Sequence, residues 1–228
     1  MHPIPDHITP DVSDFLRGFC RAWASRYSEA IPVDALAILY GQWCNECTGQ
    51  DAGGTWRRGF ACHHYNYGNI RAIGATGAWW AGDVVDLPGA WEVVDGQRVV
   101  TGGGFRAYRT PEDGAADLLA LLASRYPVAV STLRGTIERP DRANLYASCL
   151  HAGGYFTAPQ GQYAMVVRDR AARFEREVGV DAIAAAIADA ATIYAQPAAP
   201  PRSLDGATDA GGGGTVEPGQ PVDPSEAP

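Results

Sequence analysis

The chain has 228 residues, 46% of them hydrophobic, and a formal net charge of -8. That is enough for one domain with a sizeable core plus a tail. Every basic residue is an arginine and no basic stripe is present, which argues against nucleic acid as a partner. No apolar run is long enough to span a bilayer, and Met1 to Pro10 lacks the basic and apolar regions of a secretory signal.

In chain order, residues 1–12 read as an irregular lead-in. Ser13 is a plausible N-cap for a first helix to about Tyr27, with Phe15, Phe19, Trp23 and Tyr27 at helical spacing as a core stripe. A second helix is expected from Val33 to Cys47, with Pro32 at its start and Gly49 at its stop. It is apolar on nearly every side, which marks a buried helix. Gln42 and Glu46 lie four apart and share a face, bordered by Asn45. The free carbonyls of a helix end and partial burial both disfavour a charged Glu46, and a carboxyl kept protonated near neutral pH can act as a general acid. Taken alone, the patch is better read as an ordinary exposed glutamate at a helix end.

Gln50 to Tyr67 is Gly-rich and reads as irregular. It leads into His63-His64-Tyr65-Asn66-Tyr67-Gly68-Asn69-Ile70-Arg71-Ala72, dense in aromatic and hydrogen-bonding side chains. Such a loop either presents those groups to a ligand or plugs into the core by its tyrosines. A short β region follows. It comprises Val84 to Leu87, then a hairpin of Trp91-Glu92-Val93-Val94 and Arg98-Val99-Val100 around Asp95-Gly96-Gln97, then a strand from Phe105 to Tyr108. Trp79 and Trp80 precede it, either lining a saccharide groove or packing the small sheet.

Thr110-Pro111-Glu112-Asp113 is a helix N-terminus, with its helix running to about Arg125 and burying Ala116, Leu119, Ala120 and Leu122. Further helices are expected over Arg142 to His151, Gln162 to Val178 and Asp181 to Tyr194, with a loop at Tyr155-Phe156-Thr157-Ala158-Pro159. From Pro197 to Pro228 the chain is rich in Pro, Gly, Ala and acids, reads as a disordered tail, and holds about half of the net charge. The expected organisation is therefore a lead-in, one folded domain over residues 13–196, and the tail.

The five cysteines leave at least one without an intramolecular partner. Cys44, Cys47, Cys62, His63 and His64 could form a zinc site, but Cys44 and Cys47 fall inside a helix and buried thiols are the simpler reading. A Cys47–Cys62 disulfide is not decided by spacing. No metal or cofactor is expected.

The ordered motifs resemble those of the lysozyme-like bacterial peptidoglycan hydrolases of the glucosaminidase family (glycoside hydrolase family 73), including the glycan-cleaving domains of flagellar rod-assembly muramidases. The similar segments are Gln42-x-x-x-Glu46 with Gly49, then Asn66-Tyr67-Gly68-Asn69-Ile70-Arg71-Ala72, then Phe105-Arg106-Ala107-Tyr108 with Thr110-Pro111-Glu112-Asp113-Gly114. The last is Ala152-Gly153-Gly154-Tyr155-x-Thr157-x-Pro159 with Tyr163-Ala164. The resemblance covers roughly Val33 to Arg173, about six tenths of the chain. The chain departs from the family at Asn45, where a Leu is usual, and at Cys47-Thr48-Gly49, where the family has Ser-Gly-Trp.

The resemblance implies an α+β, mainly α, lysozyme-like helical domain with a small antiparallel β-hairpin lobe. It implies cleavage of β-1,4 glycosidic bonds of the glycan strand, with Glu46 as general acid. Glu92 is the candidate second carboxylate and Asp86 the runner-up. Gln42, Asn66, Tyr67, Asn69, Trp79, Trp80, Tyr155 and Thr157 would bind the substrate, with no metal required. The partner would be peptidoglycan, the protein a monomer without a membrane span. Without a signal peptide, it would reach the wall by phage lysis, on a virion or through a secretion system. The alternative is a catalytically inactive glycan-binding or structural wall-associated module.

Overall fold

The computed structural model describes residues 11–50, 56–58, 64–74, 76–86, 91–94, 97–100, 103–135, 138–156 and 159–194; for 47–50, 56–58, 91–94, 98 and 194 only the backbone is described. The tail, most of the lead-in, Cys62, His63 and Thr157 lie outside the described residues. The class is the expected one, mainly α with short antiparallel strands.

Helix α1, Val12–Tyr27, begins two residues earlier than Ser13 as its cap would allow. Asp11 is the N-cap: its carboxylate accepts from the Asp14 amide, and the Asp14 side chain reaches back to the Asp11 amide. This reciprocal capping satisfies two free donors and displaces Ser13 into the first turn. Helix α2, Val33–Cys47, has the expected limits, and the Pro32 carbonyl accepts its first turn's Leu36 amide.

The two helices are joined by aromatic side chains. Phe15 stacks on Trp43 with ring centroids 5.0 Å apart and planes 5° from parallel. Phe19, Tyr40 and Tyr67 meet the same cluster edge-on or tilted. Offset and edge-to-face aromatic pairs add about 0.5–1.5 kcal/mol each beyond their area burial.

The segment after α2 is not wholly irregular. Strands β1, Thr48–Gln50, and β2, Trp56–Arg58, pair antiparallel. Strand β3, Val84–Asp86, pairs with β6, Gly104–Arg106, and encloses in sequence the β4–β5 hairpin, Trp91–Val94 with Gln97–Val100. The expected strand at 105–108 thus starts at Gly104, and its last two amides turn to other partners: Ala107 N–H donates to Asp83 and Tyr108 N–H to His64. A Cβ on Gly104 would meet Val84 Cγ1 at 2.3 Å, so this strand pair needs a glycine there.

Helix α3, Pro111–Arg125, is capped by Thr110, whose hydroxyl accepts from the Asp113 amide. It buries Ala115, Leu118, Leu119 and Leu122, while Ala116 and Ala120 lie at the margin of the core. A short α4, Pro127–Arg134, lay hidden in the sequence directly after it. Helix α5 spans Arg139–Ala152. The single helix expected over 162–178 is two: α6, Gln160–Ala171, and α7, Phe174–Val178. The break at Ala172 and Arg173 brings Phe174 into the core, 5.3 Å from the Tyr40 ring. Helix α8, Val180–Tyr194, packs on α1, with Arg21 bidentate to Asp189.

Helix α2 crosses α6 at close range. A Cβ on Gly41 would stand 2.4 Å from the Val167 carbonyl oxygen, so glycine is what lets the backbones touch. Gly41→Ala should lower stability by roughly 2 kcal/mol or more, since neither backbone can yield cheaply. A urea unfolding curve checks this. An unchanged midpoint would contradict the crossing.

Candidate active site

The crossing of α2 and α6 sets Glu46, in the last turn of α2, opposite Tyr163 in the first turn of α6. The Tyr163 hydroxyl donates to Glu46 Oε1 at 3.2 Å, and the Asn69 side-chain amide donates to Glu46 Oε2 at 2.9 Å. Asn69 Nδ2 also lies 3.4 Å from the Glu46 carbonyl oxygen, one of the free carbonyls at the helix end. Glu46 is partly buried, and both of its carboxyl oxygens are held. Phe156 stacks on the Tyr163 ring at 3.9 Å and 8°, which fixes the phenol's direction.

One turn back on α2, Gln42 is wholly buried and its Oε1 accepts from Tyr146 of α5 at 2.5 Å. The Tyr155 hydroxyl donates to the Gly68 carbonyl at 3.1 Å and closes the same region from the loop after α5. Around one carboxyl the fold gathers three phenols and two amides, with no basic side chain among the groups perturbing it.

The electrostatic consequence follows from burial. Enclosure raises the Glu46 pKa from 4.5 to about 7, and the donations from Asn69 and Tyr163 offset only part of that rise. A carboxyl with this value is half protonated near neutrality, the condition of an effective general acid. The negative form of Glu46 in turn joins burial in raising the pKa of Tyr146, Tyr155 and Tyr163, so all three phenols stay neutral donors.

The loop carrying Asn69 is strained. His64, Tyr65 and Asn69 all have positive φ, between 50° and 55°. For residues other than glycine this costs of order 1 kcal/mol each and persists only where surroundings impose it. Here Tyr67 anchors the loop in the Phe15–Phe19–Trp43 cluster. The Tyr65 carbonyl lies where a Cβ on Gly114 would sit, so Gly114 of α3 admits the loop.

Four residues expected to contact substrate are placed otherwise. Asn66 is fully buried with its amide spent on backbone groups, so it has nothing to offer a sugar. Tyr67 is 1% exposed and belongs to the aromatic core. Trp80 is buried: its indole N–H donates to the Asp83 carbonyl and the Arg106 guanidinium covers its ring, 4.4 Å from the centroid. Gln42 lies behind Glu46 rather than on an open surface. Trp79, by contrast, is 40% exposed, and Asn69 reaches the carboxyl directly.

Of the second carboxylates, Asp86 sits exposed at the end of β3, its Oδ1 beside the Gly104 backbone. Glu92 lies on β4 opposite Val99, and its side chain is outside the described residues, as are those of Cys47 and Cys62. Among the described residues no group of three or more His, Cys, Asp or Glu side chains is arranged to hold a metal ion.

Two contributors were missed in the sequence. Tyr163 stood within a motif quoted for the family resemblance, which was the available signal. Tyr146 sits on the apolar face of α5 with Ala143, Ala147 and Leu150, and reads as ordinary core.

Glu46 also makes stability depend on pH. Its folded pKa lies above its unfolded value, so the folded state binds the extra proton between about 4.5 and 7, and stability falls as pH rises through that window. The loss amounts to roughly 3 kcal/mol at most. Glu46→Gln should remove this slope and be more stable than the parent above neutral pH. Thermal melts from pH 4 to pH 8 measure it, and parallel curves for the two proteins would refute the assignment.

No protein-family model matches the sequence and no curated protein matches it. Two solved structures are similar to the chain. One is a peptidoglycan hydrolase mutant from Sphingomonas sp. A1, with 24% identity and a TM-score of 0.44 over 78% of this chain and 99% of that one. The other is a C-terminally truncated glycoside hydrolase domain of Salmonella typhimurium FlgJ, with 19% identity and a TM-score of 0.41 over 73% of this chain and 99% of that one. Likenesses this remote do not say which residues act, or on what.

Proposed function

We propose that the protein is a peptidoglycan hydrolase that cleaves β-1,4 glycosidic bonds of the glycan strand with Glu46 as general acid. The observation that carries this is the Glu46 carboxyl, enclosed and held at both oxygens by Asn69 and Tyr163, a setting in which burial pushes its pKa up to about 7. The motif order in the sequence, with the lysozyme-like expectation it brings, supports the same reading.

The chemistry runs from those groups. Glu46 transfers its proton to the leaving glycosidic oxygen as the C–O bond breaks, and the sugar develops oxocarbenium character. Neutral Tyr163 and the Asn69 amide then stabilise the carboxylate left behind, because each donates a hydrogen bond that strengthens as the charge forms. Glu92, or Asp86 at the neighbouring strand, activates the water or faces the cation when the hairpin lies over bound glycan. Trp79 offers a ring face for a sugar. Whether the strand is cut at the glucosamine or the muramic acid linkage is read from the reducing ends that are released.

Purified protein should clear a suspension of cell walls and release reducing sugar ends. Its kcat/KM should fall about tenfold per pH unit above pH 7, where the acid is lost. Glu46→Gln should lower clearing by at least about a hundredfold while leaving sedimentation with insoluble walls intact. Equal clearing by both proteins would remove Glu46 from the reaction. Binding without any release of reducing ends by the parent would instead mark a wall-binding module.

A further inference from the structure

The side chain of Asn66 is fully buried, yet it makes three hydrogen bonds, all to backbone. Its Oδ1 accepts from the Ile70 amide at 2.7 Å, and its Nδ2 donates to the Ile70 carbonyl at 3.0 Å and the Arg106 carbonyl at 2.8 Å. The Ile70 carbonyl accepts a second bond from the Arg106 amide at 3.0 Å. One amide thus closes the turn from residue 66 to residue 70 and ties it to β6. Between the two closed ends stands Asn69, with φ of 50° and its own amide on Glu46.

Among the described residues the buried Asn69 Oδ1 atom has no hydrogen-bond partner, so none of them holds the side chain's direction on that side. Its aim at Glu46 rests on the two contacts of its Nδ2 with Glu46 and on the backbone on which it is mounted. That backbone conformation is unfavourable for a residue with a Cβ and relaxes unless its neighbours are fixed.

We propose that Asn66 is a positioning residue that locks the 66–70 turn and thereby holds the Asn69 amide against the Glu46 carboxyl. Its catalytic meaning rests on the general-acid reading above, while the coupling itself can be measured without turnover. Among the described residues the groups facing Glu46 are Asn69 from the loop, Tyr163 from α6, Tyr146 from α5 and Tyr155 from the loop after α5. Of these, Asn69 stands in the turn itself, while Tyr155 meets the turn through the Gly68 carbonyl, so Asn69 is the donor to the carboxyl that Asn66 governs. Loss of Asn66 therefore removes one donor that favours the ionised carboxyl and leaves the enclosure in place.

The test is the titration of the Glu46 side-chain carboxyl by carbon-13 NMR on the full chain, with Glu46→Gln identifying the resonance. In Asn66→Ser the midpoint should rise by roughly half a pH unit or more. Asn69→Ala should raise it by the same amount, and the double variant by no more than Asn69→Ala alone. If the protein clears walls, kcat should fall about tenfold in Asn66→Ser with KM little changed.

A midpoint that stays in place while thermal stability falls would make Asn66 merely structural and overturn the proposal, as would additive shifts in the double variant. Should Asn66→Ser fail to fold, the parent protein supplies the answer. The Ile70 backbone amide, bonded to Asn66, should change its nitrogen-15 shift with the same midpoint as Glu46, and an Ile70 amide indifferent to that ionisation would overturn it. A parent that clears no walls but keeps the NMR coupling would defeat the general-acid reading and leave the positioning intact.

Discussion

Everything at the site depends on enclosing the Glu46 carboxyl at a helix end where, among the described residues, no cation perturbs it. A buried carboxylate paired with arginine would be ionised and useless as a proton donor. Here its neighbours are neutral: the Asn69 amide and the Tyr163 phenol, with Tyr146 and Tyr155 behind. They satisfy the oxygens in either protonation state, and burial is left to set the balance near neutral pH.

The scaffold can be understood as the means of that enclosure. The glycine at position 41 lets α6 approach α2 closely enough for Tyr163, one turn before Val167, to reach Glu46. The stack of Phe15 on Trp43, with Tyr67 against both, pins the strained loop to the two N-terminal helices. On the other flank, Asp117 of α3 accepts from both the Arg106 guanidinium and the Tyr108 hydroxyl, and Arg106 in turn donates to the Ile73 carbonyl and covers Trp80. These contacts fasten β6 and the loop before β3 to the helical body. A glutamate at the end of α2 is thus fixed by elements drawn from residues 15 to 167, most of them distant from it in sequence.

That separation explains what could be read beforehand. The limits of α2, the Thr110-Pro111 start of α3 and the β4–β5 hairpin were legible because caps, prolines and turn residues act on their immediate neighbours. The polar face of Gln42 and Glu46 was legible for the same local reason. The roles of Asn66 and Asn69 were not separable, because the same residue type three positions apart becomes a backbone strut or a carboxyl donor according to a turn that long-range packing imposes. Trp79 and Trp80 divide in the same way: the second is covered by an arginine 26 positions later, the first is exposed. Asp11 displaced Ser13 as a cap because Asp14 could answer it, a reciprocal pairing that a single-residue preference does not register.

The central claim is that Glu46 holds a proton near neutral pH. Infrared difference spectra of the parent against Glu46→Gln test it most directly, because a protonated carboxyl and a carboxylate absorb at different frequencies. The account predicts a protonated carboxyl band at pH 6 that belongs to Glu46 and disappears as the pH rises through about 7. A Glu46 signal that is already wholly carboxylate at pH 6 would contradict it.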